Sequence, residues 1–273
     1  MTRLAVLIAA LMLGGPALAD CGPAPDACEI EGGSYHIALP AQPEGAPVVV
    51  FLHGAGGTGG YSISNAEVVA PMLARGYAVI APDGSRSFGN GGGRVWNFLP
   101  GREGRDEADF LRDVLRDAAG RFALDTGAPV LAGFSAGGFM VSYLACAHPG
   151  DFAAYAPVSG GFWRPQPEHC AGPVQLFQTH GWRDTTVPLE GRALRGGAFV
   201  QGDIFAGMAL WRQANACAGD DPSGYSETGP FQRRRWDCAP GSALEFALFP
   251  GGHQVPAGWA DMMLDWFEAL PGE

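Results

Sequence analysis

Apolar residues occur in two kinds of pattern along this chain. Residues 47–52 and 77–81 are short runs in which nearly every side chain is apolar, and such runs are typical of strands that are buried on both faces. Between them, residues 65–75 carry apolar side chains three or four positions apart and end before a glycine, which predicts a helix. Residues 47–81 therefore have the order strand, helix, strand.

The same alternation continues to the C-terminus. Further strands are predicted over residues 34–39 (an edge strand), 129–134, 152–158, 174–179 and 243–249, and further helices over residues 107–122, 136–148, 201–216 and 258–270. The glycine-rich stretch 82–104 has no periodicity and predicts a long loop. Strands that alternate with helices predict a single α/β domain with a mostly parallel central sheet and helices on both faces.

The N-terminus has the pattern of a secretory signal peptide. Arg3 precedes an apolar run over residues 4–13, and Ala17-Leu18-Ala19 forms a small-x-small cleavage site. The alternative is an uncleaved anchor, but the run is much shorter than the roughly 20 residues that span a bilayer. We expect residues 1–19 to be removed and residues 20–273 to form an exported domain, periplasmic or extracellular, with no membrane contact.

Six cysteines lie in the predicted mature chain. An even number in an exported protein indicates disulfides rather than a metal site. Many pairings are possible, and we favour the one that joins near neighbours without crossings. It pairs Cys21 with Cys28, Cys146 with Cys170 and Cys217 with Cys238.

Charge and composition exclude several classes of function. The net charge is −11, which argues against a nucleic-acid partner. All 17 basic residues are arginine, so Schiff-base chemistry and a Ser-Lys dyad are excluded. An activated serine in this chain must therefore rely on a histidine.

Ser135 is the candidate nucleophile. Gly133-Phe134-Ser135-Ala136-Gly137 is a G-x-S-x-G motif between a predicted strand and a predicted helix, where a tight turn exposes the hydroxyl above the sheet edge. An ordinary serine in a glycine-rich turn is the alternative. The flanking elements favour a nucleophile.

A serine hydroxyl needs a base, and the base needs a carboxylate to orient it. His253 follows the last predicted strand, and Asp184 follows the strand before it, so the chain order is serine, aspartate, histidine, as this fold uses. Glu190 and Asp203 are alternatives to Asp184. Two histidines that also end predicted strands, His53 and His180, each come too early in the chain for the order serine, aspartate, histidine.

The loop after the first buried strand is the candidate partner for an oxyanion. An oxyanion hole needs the N–H of the residue after the nucleophile, here Ala136, and a second N–H from a loop that follows an early strand. Ala55 is the preferred second donor, with Gly54 and Gly56 as neighbours that the sequence does not rank. A flexible loop without a ligand is the alternative.

Aromatic residues in the loops are candidates for the substrate pocket. Trp96 and Trp163, with His53 and Gly54 beside the predicted oxyanion loop, are the candidate substrate-binding residues; core packing is the alternative for the tryptophans. The basic run 233–235 is expected to be a solvated face, with contact to a carboxylate-bearing substrate as the alternative.

These motifs together resemble the secreted polyhydroxybutyrate depolymerase and feruloyl esterase family. The resemblance rests on Leu52-His53-Gly54, the segment 133–138, His180-Gly181 with Asp184, and Gly251-Gly252-His253, and it covers nearly all of the predicted mature chain. It implies one α/β-hydrolase domain, hydrolysis of hydroxyalkanoate or aromatic esters, and neither cofactor nor metal. Ala55 stands where family members commonly carry a cysteine, and this departure leaves the substrate open.

We therefore expect a secreted, monomeric serine esterase that cleaves hydroxybutyrate oligomers or related polyesters through an acyl-enzyme. A feruloyl or acetyl xylan-type esterase is the alternative with the same chemistry, and a lipase or peptidase is less well supported. An inactive hydrolase-fold module that binds glycans or polymers is the alternative from another class.

Overall fold

The computed structural model describes Cys21 and residues 26–271. The predicted signal peptide lies outside the described residues. Within the described part of the chain, no helix is long and apolar enough to cross a membrane. The described residues form a single α/β domain around one large sheet.

The strands follow one another between helices for most of the chain. In chain order they are β1 (Cys28–Ile30), β2 (Gly33–Ala38), β3 (Pro47–Leu52), β4 (Ala78–Pro82), β5 (Arg86–Phe88), β6 (Gly93–Val95), β7 (Asp125–Phe134), β8 (Ala154–Val158), β9 (Gln175–Gly181), β10 (Ala193–Leu194), β11 (Phe199–Val200), β12 (Gly224–Thr228), β13 (Phe231–Trp236) and β14 (Ala243–Phe249). The helices are α1 (Gly59–Ser64), α2 (Ala66–Ala74), α3 (Glu107–Phe122), α4 (Ala136–Ala147), α5 (Ile204–Ala214) and α6 (Trp259–Glu268), with a short 3-10 turn at Arg195–Gly197.

Ten of these strands form the central sheet, in the order β1-β2-β4-β3-β7-β8-β9-β14-β13-β12. The six strands from β4 to β14 are parallel, and two antiparallel strands flank them at each side. The mostly parallel sheet is confirmed. The prediction that residues 34–39 form the edge strand is wrong, because β1 pairs with β2 and covers that edge.

Strand β3 shows why the unbroken apolar runs predict central strands. Alternate side chains point to opposite faces of a sheet. Val48, Val50 and Leu52 pack into the core on one face, while Val49 and Phe51 pack into the core on the other. Helices α3, α4 and α5 cover the first face and helices α1, α2 and α6 the second.

The structure differs from one predicted loop and from the predicted start of one helix. The segment 82–104 contains an antiparallel hairpin of β5 and β6, which has too few apolar positions to show a period. The helix predicted from residue 201 begins at Ile204 instead, because Gln201 bridges to Trp163 and the Asp203 carboxylate accepts the Ala206 N–H at 3.0 Å as the helix cap.

Three disulfides join the pairs of cysteines that the sequence favoured. They are Cys21–Cys28, Cys146–Cys170 and Cys217–Cys238. The second ties the end of α4 to the segment before β9, and the third ties the end of α5 to the end of β13. The second and third bridges therefore fix segments at the amino edge of the parallel strands, whereas Cys28 lies in register with Tyr35 and the carboxyl end of β4.

Candidate active site

Ser135 lies on the turn between β7 and α4, at the carboxyl edge of the parallel strands. Its backbone has φ 55° and ψ −116°, a conformation that non-glycine residues adopt only under strain. The Ser135 N–H donates to the Val158 carbonyl of the neighbouring strand at 2.9 Å. The turn therefore holds the side chain above the sheet edge, as the motif predicts.

The glycines of the motif allow three backbone segments to meet at this turn. A Cβ atom on Gly137 would lie 2.1 Å from the Leu52 carbonyl oxygen, and a Cβ on Gly133 would lie 2.7 Å from the Gly137 carbonyl carbon. Both contacts are with backbone, which has no rotamer to change. Side chains at either position would push α4 away from β3 and β7.

Ser135, His253 and Asp184 form one hydrogen-bonded chain. The Asp184 carboxylate can only accept, so the His253 Nδ1–H donates to Asp184 Oδ2 at 2.7 Å. The other ring nitrogen, Nε2, is then the acceptor for the Ser135 hydroxyl at 2.8 Å. This arrangement has the tautomer that a general base needs to take the serine proton.

Asp184 is held in place by backbone donors as well as by His253. Its Oδ1 accepts the Thr186 N–H at 2.9 Å and the Val187 N–H at 2.8 Å. Burial by itself would raise the pKa of this carboxyl, but the hydrogen bonds from His253 and from the Val187 N–H outweigh burial and keep the pKa below its usual range. Asp184 is therefore ionised at neutral pH.

His180 packs behind this carboxylate. Its Nε2–H donates to the Val187 carbonyl at 2.8 Å and lies 3.7 Å from Asp184 Oδ2. Burial lowers the pKa of His180, so the ring is neutral. His180 is therefore not a second cation that would compete with His253 for the carboxylate. The alternatives Glu190 and Asp203 are not brought to His253.

The predicted oxyanion loop lies beside the nucleophile. A Cβ on Gly54 would be 3.3 Å from the Ser135 Cβ. The Gly56 N–H is already used, because it donates to the Arg94 carbonyl at 2.9 Å. The Ala55 N–H has no acceptor within the described residues, and Ala55 and Ala136 line the same cavity as Ser135.

His53 and Trp96 hold this loop in place through hydrogen bonds. The His53 ring donates from Nδ1 to the Gly54 carbonyl at 2.7 Å and accepts the Gly84 N–H at Nε2 at 3.0 Å. Trp96 Nε1 donates to the His53 carbonyl at 2.8 Å. Both side chains are 2% exposed. Burial lowers the pKa of His53, so this ring is a neutral structural group whose two nitrogens are occupied by protein.

A cavity of about 530 Å³ opens at Ser135. Of the four candidate substrate-binding residues, Trp96 and Trp163 line it, whereas His53 and Gly54 line a different depression on the other side of the oxyanion loop. Further aromatic walls that the sequence analysis did not assign to the pocket come from Phe139 and Phe199. The rings of Phe139 and Trp163 have centroids 5.4 Å apart, and those of Trp163 and Phe199 6.1 Å apart.

The wall that carries Trp96 is fixed by a buried carboxylate. Glu107 Oε1 accepts the Ser85 hydroxyl at 2.7 Å and the Asn97 N–H at 2.9 Å, and Oε2 accepts the Arg105 Nε–H at 2.9 Å. These contacts tie both ends of the β5–β6 segment to the first turn of α3. The glycine-rich segment is therefore an ordered wall of the cavity.

Four arginines also line the cavity and escaped the sequence analysis. They lie in loops or short hairpins without periodicity, so no local pattern marks them. They are Arg86, Arg102, Arg192 and Arg195.

The sheet order, the strained turn and the Ser–His–Asp chain together have the architecture of an α/β-hydrolase. A family model described as "alpha/beta hydrolase fold" matches residues 47–197, more than half of the chain. The chain belongs to this family.

Characterised relatives include esterases of several kinds. Feruloyl esterase C of Emericella nidulans is 28% identical over 243 residues, which are 84% of this chain and 80% of that protein. Poly(3-hydroxyalkanoate) depolymerase C of Paucimonas lemoignei is 30% identical over 123 residues, 44% of this chain and 29% of that protein. The chain spans less than half the length of several of the curated relatives that it matches.

Solved structures of similar fold cover most of the chain. The acetyl xylan esterase from Aspergillus awamori superimposes with a TM-score of 0.62 at 16% identity, over 86% of this chain and 93% of that one. A carboxylesterase from Mesorhizobium loti gives a TM-score of 0.58 at 17% identity, over 89% and 99% of the two chains. At these identities the likeness concerns the fold.

Proposed function

We propose that this protein is a serine esterase that hydrolyses carboxylic esters through a covalent acyl-enzyme. The observation that carries the proposal is the contact between the Ser135 hydroxyl and His253 Nε2 at 2.8 Å, on a strained turn at the mouth of a cavity with aromatic walls. The relatives named as feruloyl esterase and depolymerase support it, since both names denote hydrolysis of esters.

The chemistry follows from the roles that the geometry allows. Ser135 Oγ attacks the ester carbonyl while His253 takes its proton, and Asp184 stabilises the imidazolium that forms. The N–H groups of Ala136 and Ala55 donate to the oxyanion. His253 then gives the proton to the leaving alcohol, and water, activated by the same ring, releases the acid.

The substrate belongs to one of two classes in this proposal. Short hydroxyalkanoate oligomers are the first candidate, following the resemblance of the motifs to depolymerases. Aromatic esters such as ferulates are the second, and the specific observation in their favour is the aromatic wall of Phe139, Trp163 and Phe199. An acetyl xylan-type substrate is the remaining alternative, and the panel below tests it.

We also propose that the enzyme is exported and monomeric. Three disulfides support an oxidising compartment. The large apolar side chains that are exposed in the described residues are few and lie on different elements, which supports a monomer. Size-exclusion chromatography with light scattering tests the monomer.

The test of the function is a substrate panel with two matched serine variants. Short-chain 4-nitrophenyl esters, methyl ferulate, hydroxybutyrate oligomers, acetylated xylan and a peptide anilide are assayed with the wild type, Ser135→Ala and Ser142→Ala. Ser142 is a buried serine in α4 whose hydroxyl donates to the Gly138 carbonyl. We expect Ser135→Ala to lose at least about 10³-fold in kcat and Ser142→Ala to retain the wild-type rate.

Two results would overturn the proposal. If the wild type turns over no ester and Ser135 does not react with a fluorophosphonate probe, the protein is an inactive hydrolase-fold module that binds its ligand. If Ser135→Ala keeps most of the wild-type rate, another residue performs the chemistry. Cleavage of the anilide at a rate comparable with the esters would indicate a peptidase.

A further inference from the structure

The cavity at Ser135 has a charge opposite to that of the whole protein. The net charge of the chain is −11, yet the cavity is lined by four arginines, defined here as the arginine rim: Arg86, Arg102, Arg192 and Arg195. No aspartate or glutamate is among the residues that line it. A cluster of one sign in a cleft raises the local concentration of ligands of the other sign.

The rim arginines have no carboxylate partner within the described residues. Elsewhere in the protein, arginines such as Arg75, Arg112 and Arg233 form ion pairs with aspartate or glutamate. Arg86 has one weak contact, from Nη1 to the Glu103 carbonyl at 3.4 Å. The rim therefore has unused guanidinium donors.

Two of the rim residues meet at a single aromatic ring. The guanidinium carbon of Arg102 lies 5.6 Å from the Phe199 ring centroid, and that of Arg195 lies 5.9 Å from the same centroid. Arg102 comes from the segment before α3 and Arg195 from the segment between β10 and β11, so two separate segments each place a guanidinium group beside this ring. Guanidinium groups form charge-assisted hydrogen bonds with carboxylates.

The cavity wall that carries Arg192 and Arg195 is fixed by backbone contacts, so these arginines do not lie on a loose loop. Trp163 and Gln201 form a β-bridge, the Gln201 N–H donates to the Arg192 carbonyl at 2.8 Å, and the Arg164 N–H donates to the Val200 carbonyl at 2.7 Å. These contacts hold the segment that carries Arg192 and Arg195 against Trp163.

We propose that the arginine rim binds a carboxylate carried by the substrate, so that the enzyme prefers esters with a free acid group in the part that occupies this cavity. The inference rests on the proposed esterase function and names its substrate class. Soluble oligoesters of hydroxy acids meet the requirement, because each chain ends in one carboxylate. Half-esters of dicarboxylic acids meet it as well.

Two pairs of esters that differ only in this charge test the inference. Mono-4-nitrophenyl adipate is compared with its methyl-capped diester, and 4-acetoxybenzoate is compared with its methyl ester, so the carboxylate lies on the acyl part in one pair and on the alcohol part in the other. We expect kcat/KM to favour the anionic member by about tenfold or more in at least one pair. That preference should fall when NaCl is raised from 0.05 to 0.5 M, because salt screens exposed charges.

Variants then assign the preference to the rim. Arg102→Gln and Arg195→Gln should each lower kcat/KM for the preferred anionic ester about five- to tenfold, mainly through KM, and leave the neutral ester within about twofold. Arg235→Gln is the matched control, since Arg235 is an exposed arginine on β13, outside the cavity lining. It should change neither rate.

The outcomes separate this inference from the function on which it rests. If the wild type hydrolyses the neutral esters and shows no preference in either pair, the arginine rim does not select the substrate and the esterase function stands. A preference that survives in both rim variants also overturns the inference. If neither pair is hydrolysed above the Ser135→Ala background, the proposed function fails and this inference fails with it.

Discussion

The Asp184→Asn variant tests the assigned role of the carboxylate most directly. The two oxygens of Asp184 have different partners: Oδ1 accepts the N–H groups of Thr186 and Val187, and Oδ2 accepts the His253 Nδ1–H. An asparagine has one oxygen. If that oxygen accepts the two backbone N–H groups, the NH₂ group of the asparagine points at His253 Nδ1.

The orientation of the asparagine amide follows from these donors. Turning the amide over would place the NH₂ against two buried N–H groups, which costs about 1–3 kcal/mol for each donor left unpaired. The retained orientation makes Nδ1 of His253 the acceptor, so the ring proton moves to Nε2 and faces Ser135. A ring in this tautomer cannot take the serine proton.

The expected loss is large because the productive tautomer becomes a minor species. The two unpaired donors together cost about 2–6 kcal/mol, which corresponds to a loss of roughly 30-fold to 10⁴-fold in kcat, at about 1.4 kcal/mol per factor of ten. Initial rates on a short-chain 4-nitrophenyl ester at pH 7.5–8 measure it. Circular dichroism and denaturant unfolding show whether the variant keeps the fold.

Asp203→Asn is the control for this experiment. Asp203 was an alternative for the same role in the sequence, but in the structure it caps α5 through the Ala206 N–H, a contact that asparagine also makes. We expect its rate to stay within about twofold of the wild type. A loss below about tenfold for Asp184→Asn, or equal losses for the two variants, would refute the tautomer argument.

Two further predictions concern stability. Gly137→Ala should lower the free energy of unfolding by more than about 2 kcal/mol, because the new Cβ would lie 2.1 Å from the Leu52 carbonyl oxygen. Gly120→Ala, in α3 with no heavy atom within 4 Å, should raise the free energy of unfolding by about 0.5–1 kcal/mol. Equal effects of the two variants in urea titrations would contradict the packing argument. Burial lowers the pKa of His53 and of His180 in the folded protein, so the unfolded chain binds protons more tightly than the folded chain does. The free energy of unfolding should therefore be level above about pH 7 and fall as the pH drops below about 6.5. Unfolding midpoints from pH 8 to pH 5 test this, with His53→Gln reducing the slope, and a flat wild-type profile would count against it.

The predicted part of the fold is the part that local patterns determine. Strand β3 could be identified because Val49 and Phe51 are buried on one face while their neighbours are buried on the other, which leaves an apolar run in the sequence. The meeting of Ser135, Asp184 and His253 could be expected because each follows a predicted strand, and parallel strands place their carboxyl ends at one edge. Both inferences need only the chain order and side-chain polarity.

The missed part depends on partners that are distant in sequence. Strand β13 has three successive arginines and was expected to be a solvated face. Arg233 is instead paired with Glu245 on β14 and lies 5.6 Å from the Phe177 ring centroid, so a buried cross-strand contact makes a polar sequence a strand. His53 was expected at the substrate, but Gly84, 31 residues away, occupies its free nitrogen.

The same reasoning explains why the reaction of this chain can be predicted from its sequence more readily than its substrate. The reacting groups lie at strand ends, where topology alone brings them together, so the motifs around Ser135 and His253 predict a serine hydrolase. The arginine rim and Phe199 reach the cavity on segments without periodicity. The segment that carries Arg192, Arg195 and Phe199 is held there by the pairing of Trp163 with Gln201, 38 positions further along the chain. Relatives that share the motifs need not share this wall. Substrate preference in this family therefore has to be measured on esters that differ at the wall, here in a single charge, rather than inferred from the elements that perform the hydrolysis.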